Sequence, residues 1–214
     1  MTDAELIAGE PNPAFAVPAG LEALKRAAAA LSAHGMHAVI VESGEAARDL
    51  VLEMVPPGAE VHLGASQTLE TIGVVKEIEE SGRYDAVRPR TRRMDRTTQA
   101  REMRSLQSGP DYMLGSVHAV TEDGSLLWVS KTGSQLGPHA TGAGRVIVVA
   151  GHQKVVGDLE QAFCRVREYV YPRENARALQ AYGVASSINK MLIINQEVVP
   201  DRIHVILVRE TLGF

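Results

Sequence analysis

The spacing of apolar and polar positions changes several times along the chain, and each change marks an element. Leu21, Leu24, Ala28 and Leu31 recur at helical spacing and stop at Gly35, a residue suited to the C′ position. Met36 to Val41 reads as a strand, and Gly44 to Met54 as a helix closed off by Pro56-Pro57-Gly58. Ala59-Glu60-Val61-His62-Leu63 alternates as a short strand does, then empties through Gly64 and Ala65. After Ser66, the positions Leu69, Ile72, Val75 and Ile78 follow one helical stripe. Tyr84 to Val87 reads as a short strand and Asp95 to Gln107 as a helix.

Beyond residue 110 the texture turns to β. Asp111 to Val120 is strand-like, Glu122-Asp123-Gly124 signals a turn, and Ser125 to Val129 returns, so a β-hairpin is expected. Arg145 to Gly151 is a near-continuous apolar run of the kind a buried parallel strand shows. Leu159, Ala162, Phe163, Val166 and Val170 then mark an amphipathic helix, and Met191–Asn195 and Ile203–Val208 close the chain as strands. This alternation predicts an α/β fold: three layers around a mostly parallel sheet, with a β-hairpin insertion. Residues 1–20, with Pro11, Pro13 and Pro18, read as a flexible N-terminal arm, and 21–214 as a single domain.

At 214 residues, 45% hydrophobic and 22% charged, the chain has ample material for one core. Cys164 is the sole cysteine, so neither an internal disulfide nor a cysteine-ligated zinc or iron–sulfur site can be built from this chain alone. The seven histidines form no His-x-x-x-His pattern, and neither metal nor cofactor is expected. No apolar run approaches the ~20 residues of a membrane span, and the acidic start, Met1 to Glu10, lacks the features of a secretory signal; the expectation is a cytoplasmic protein. A net charge of −4 opposes general nucleic-acid binding, with one local exception. Seven arginines from Arg88 to Arg104 stand against Asp95 and Glu102, a net +5 that leaves −9 elsewhere. That segment has no aromatic residue to stack a base, which favours a solvated face over a nucleic-acid contact.

Candidate chemistry gathers in three polar loops. Ser66 is an N-cap candidate, and Gly64, Ser66, Gln67 and Thr68 would present backbone N–H groups to a small anionic ligand, phosphate or carboxylate. The alternative is a plain βα connection. Lys131-Thr132-Gly133-Ser134-Gln135-Leu136-Gly137-Pro138-His139 is a second polar loop, from which Ser134, Gln135 or His139 would complete a pocket with Ser66 and Thr68. His152-Gln153-Lys154 follows the buried strand, where ligands gather in α/β sheets, and Lys154 is suited to pair an anion or equally to face solvent. Glu122 is the candidate catalytic carboxylate, against the alternative of a solvated turn residue. No P-loop, dinucleotide fingerprint or nucleophile elbow occurs.

Four segments, in order, carry a resemblance: Gly64 to Gly73, Asp111 to Gly124, Val146 to Val156, and Val205 to Phe214. Over 61–214 the chain resembles the LUD-domain family, the LutC/YkgG-type lactate-utilisation proteins. The resemblance implies a fold similar to the NagB/RpiA/CoA-transferase superfamily, in which a loop like Gly64 to Thr68 receives the anionic part of a ligand. It further implies a role in oxidising lactate to pyruvate beside separate iron–sulfur subunits, as an accessory ligand-binding subunit without redox centres. The alternative within that superfamily is a free-standing acyl-CoA or sugar-phosphate transforming enzyme using Glu122. Two departures stand out: Ala181 to Lys190 lacks the cysteines many relatives carry there, and His118 and Ser134 replace residues that are often Asn.

Overall fold

The computed structural model describes residues 9–214; the start of the expected arm, residues 1–8, lies outside the described residues. The first half of the chain supplies α1 (Leu21–Ala33), β1 (His37–Val41), α2 (Gly44–Met54), β2 (Glu60–Leu63), α3 (Gln67–Thr71) and α4 (Val74–Glu80). Then come β3 (Asp85–Ala86), α5 (Val87–Arg92), α6 (Ala100–Ser108), β4 (Tyr112–Gly115), β5 (Ala119–Thr121) and β6 (Leu126–Ser130). The remainder is β7 (Arg145–Gly151), β8 (Val155–Val156), α7 (Leu159–Arg165), α8 (Tyr171–Tyr182), β9 (Lys190–Ile194) and β10 (Ile203–Val208).

The apolar strands are too continuous to leave either face in water, and they pair into a six-stranded sheet, β1-β10-β7-β4-β2-β3, parallel throughout. Side chains alternate across it. Along β7, Val146, Val148 and Ala150 join one core with Leu24 and Leu31 of α1, while Ile147 and Val149 join a second core with Val51 of α2 and Leu69 of α3. The sheet is flanked on both sides, as the α/β reading requires.

The expected hairpin is larger than a hairpin. Asp111 to Val120 does not run as one strand: β4 ends at Gly115 in the large sheet, and β5 begins at Ala119 in a second, four-stranded sheet, β8-β5-β6-β9. The link Ser116-Val117-His118 turns the chain between them. There the Ser116 carbonyl accepts the Trp128 indole N–H at 2.8 Å and the His118 N–H reaches the Leu127 carbonyl at 3.0 Å. Val120, Leu126 and Trp128 of the small sheet face the first core, and Ala119, Leu127 and Val129 face a third core against Ala162 and Val166. Met191–Asn195 therefore closes the small sheet, not the large one.

Other differences have local causes. The stripe from Leu69 to Ile78 is cut at Gly73, whose φ of 79° only glycine adopts freely, so two short helices replace one. Asp95 does not lie in a helix; its carboxylate accepts the N–H groups of Thr97 and Thr98 at 2.7 and 2.9 Å, a turn that delays α6 to Ala100. From Asn12 the arm is tied down, its backbone N–H donating to the Glu168 carbonyl at 2.8 Å and its amide to the Glu168 carboxylate at 2.7 Å. Helices α7 and α8 form one rod joined by a π turn at Val166–Val170. Among the described residues no helix is long and apolar enough to cross a membrane.

Gly151, at the end of β7, is where the final segment crosses the sheet. A Cβ there would collide with the Gln153 amide oxygen, and would stand 2.6 Å from the Glu210 carbonyl oxygen and 2.7 Å from the Leu212 nitrogen. Gly151→Ala is expected to cost about 1–3 kcal/mol through overpacking, read as a lower urea midpoint; an unchanged midpoint would show that residues 210–212 do not pack as described.

Candidate functional site

Chain leaves the carboxyl ends of β2, β4, β7 and β10 close together, and the first three exits line one cavity of about 410 Å³. Gly64 to Thr68 come from β2, Ser116 to His118 from β4, and Lys154 from the single 3-10 turn after β7. Val129 to Thr132 of the small sheet, Tyr171, Glu174 and Arg177 of α8, and Phe214 close the other sides. In open α/β sheets ligands sit beyond the carboxyl ends of the strands, the place this cavity occupies.

Lys154 borders it from a buried position. The side chain is 3% exposed, and Nζ donates to Thr68 Oγ1 at 3.1 Å and to Ser116 Oγ at 3.0 Å. Both hydroxyls have already committed their protons, Thr68 to the Leu212 carbonyl at 3.1 Å and Ser116 to the Val149 carbonyl at 2.7 Å. They can therefore only accept from Lys154. No carboxylate lies within ion-pair distance of Nζ among the described residues. Burial, reinforced by the Arg165 guanidinium, pushes the Lys154 amine down to about 7.

Arg165, near Lys154, is another buried cation, fully enclosed. Its Nε donates to the Gln153 carbonyl at 3.2 Å and its Nη1 to the His118 carbonyl, so it braces the residues beside both Lys154 and β5. Nη2 is buried with no partner, and burial holds Arg165 at about 10. His118 is kept neutral: burial first, then Lys154 and Arg165, push it down to about 3. Its Nδ1 accepts the Val129 N–H at 3.2 Å, which leaves the ring proton on Nε2.

Of the residues singled out in the sequence, Gly64, Ser66, Gln67, Thr68, Ser134 and Lys154 all border this cavity. Their parts differ. Ser66 caps α3, its Oγ accepting the Leu69 N–H at 3.2 Å, and α3 has only five residues and so a small dipole. Gln67 and Ser134 are exposed at the mouth. Gln135 lies against Gly64, where a Cβ would come within 2.7 Å of its amide oxygen. His139 does not border the cavity; it stacks on Trp128 at 4.8 Å, both ring nitrogens buried without partners.

Glu122 does not join the site. It sits in the β5–β6 turn, at the end of the hairpin away from Ser130, and its carboxylate is held by Arg26 at 2.6 Å. The turn reading of Glu122-Asp123-Gly124 describes it, and the catalytic assignment has no geometry behind it. Of the arginine segment, Arg88 and Arg92 pair with Glu79 at 3.1 and 3.0 Å, and Arg90 with Asp85 and Glu60 at 2.6 and 2.9 Å. Ser116, on the cavity, and Arg165, enclosed behind its wall, are among the residues that sequence reasoning missed. A serine directly after an apolar strand was the available signal for the first; nothing in the local sequence distinguishes Arg165 from a solvated helix residue. Among the described residues no group of three or more His, Cys, Asp or Glu is placed to hold a metal ion.

The LUD domain family matches residues 24–208. The solved structure of a DUF162 family protein from Deinococcus radiodurans is similar to this chain with a TM-score of 0.53 at 13% identity, covering 87% of this chain and 96% of that one. That likeness is one of fold. No curated protein matches the chain.

The Lys154 environment makes stability depend on pH. The folded state holds the amine near 7 against an ordinary 10.5, so between those values the unfolded chain binds the additional proton and stability rises with pH. The penalty is complete below pH 7 and gone by the ordinary lysine range. Lys154→Met is expected to flatten that rise and, at pH 7, to raise the unfolding free energy by about 1 kcal/mol or more. Urea titrations across pH 6–10 check it; parallel curves for parent and variant would refute the burial of a protonatable amine there.

Proposed function

We propose a function that starts from kinship: the chain belongs to the LUD-domain family, a family associated with lactate utilisation. On our reading it is an accessory, ligand-binding subunit of a lactate-oxidising system. It binds a small carboxylate or phosphorylated ligand in the Lys154 cavity and leaves electron transfer to separate iron–sulfur proteins, since its single cysteine cannot hold a cluster.

One observation supports this reading above the rest. A buried ammonium with two neutral acceptors and no acid, close to a second buried cation, is costly unless something negative arrives. An anionic guest would accept the third Nζ–H and offset the charge, a charge-assisted bond of about 1.5–3 kcal/mol. The alternative, an acyl-CoA or sugar-phosphate enzyme built on Glu122, lacks its carboxylate at the cavity and is not favoured by any contact in the structure.

Calorimetric titration with lactate, pyruvate and inorganic phosphate tests the reading. At least one is expected to bind, Lys154→Met to weaken it tenfold or more, and Glu122→Gln to leave it unchanged. Absence of heat with all three, or binding indifferent to Lys154, would overturn the proposal. Association with iron–sulfur proteins is checked separately by copurification from lactate-grown cells; a clean failure to associate removes the accessory role.

A further inference from the structure

Lys154 is built as more than a countercharge. A neutral amine has two N–H bonds and one lone pair. Thr68 Oγ1 at 3.1 Å and Ser116 Oγ at 3.0 Å are both restricted to accepting, because their own protons are donated to the Leu212 and Val149 carbonyls. Those two oxygens take up both N–H bonds, and the remaining tetrahedral position on Nζ belongs to the lone pair. The nitrogen borders a cavity of about 410 Å³, so the lone pair has room for a guest atom in front of it. A lysine meant only to hold an anion gains nothing from such restricted partners; a carboxylate neighbour would have kept it charged more cheaply.

We propose that Lys154 Nζ condenses reversibly with the ketone carbon of a 2-oxo acid, holding it as an imine in the cavity between the two sheets. The inference rests on the anion-binding reading of the same cavity and names the ligand class. The amine requires an electrophilic carbon, and the lining of the same cavity also holds Lys131, a cation with no acid partner among the described residues, which suits a negative group. A carboxylate adjacent to a ketone supplies both in one small molecule, pyruvate being the simplest. In the reaction the Nζ lone pair forms a bond to C2, the ketone oxygen departs as water with the two nitrogen hydrogens, and C=N replaces C=O. Nothing is oxidised or reduced. His118, with its proton on Nε2, borders the same cavity as a hydrogen-bond donor suited to the ketone oxygen as it gains charge. The amine's lowered proton affinity agrees with this arrangement, leaving a large neutral fraction near pH 7.

The test is reductive trapping of the intact chain with pyruvate and cyanoborohydride, followed by intact-mass measurement and peptide mapping. The expected result is one adduct per chain, a gain of pyruvic acid less one oxygen atom, located on Lys154 and absent from Lys154→Arg. Lactate, which has no ketone, serves as the calorimetric partner of the experiment. Binding of lactate or inorganic phosphate with no trapped adduct overturns the imine and leaves the anion site standing; no heat with lactate, pyruvate or phosphate and no adduct removes both. An adduct spread equally over exposed lysines such as Lys25 also overturns the proposal, and mapping on the unsubstituted chain gives that answer whether or not the variant folds.

Discussion

The contact on which the site depends is a buried lysine amine shared between two hydroxyls. Lys154 joins chain from β2, β4 and β7 through Thr68 and Ser116, and Thr68 passes the connection to the final segment at Leu212. Every donor and acceptor in that chain of bonds has one permitted role, so the network has a single arrangement. Gln153 reinforces it: its amide nitrogen donates to the Leu212 carbonyl at 2.9 Å, while its own carbonyl receives Arg165. The final strand and the segment after it thus complete the wall of a cavity whose first residues appear much earlier in the chain.

Much of the architecture can be read from periodicity. The run Arg145–Gly151 has no polar residue after its first, and such a run has to be covered on both faces; the central strand follows from that. Ser66 could likewise be recognised as a cap from its place before an apolar stripe. The division of Asp111–Val120 between two sheets could not. Its apolar positions continue across Ser116, and the turn is fixed by Trp128, twelve residues on, whose indole holds the Ser116 carbonyl. Long-range partners of this sort leave no local trace.

The site was half legible for the same reason. Gly64, Thr68 and Lys154 lie just beyond strand ends, and strand ends are visible in sequence. Whether Lys154 is buried or solvated depends on what covers it, and the cover comes from α8 and the small sheet. Glu122 illustrates the reverse. A carboxylate beside a turn glycine has the composition of a catalytic loop, yet its position at the far tip of β5 and β6 delivers it to Arg26 on the surface. Arg165 shows how a helix residue comes to brace the site through packing: α7 carries it under the β7 exit, where backbone carbonyls of Gln153 and His118 take the place of acids.

The Trp128–Ser116 bond ties together the two sheets that wall the cavity. One wall belongs to the parallel sheet and the other to the antiparallel one, and the indole rivets them together just below the floor, backed by the stacked ring of His139. Tyr182, largely exposed, stands at the rim of the same cavity. Guests that differ in girth would have to pry the two sheets apart against that rivet.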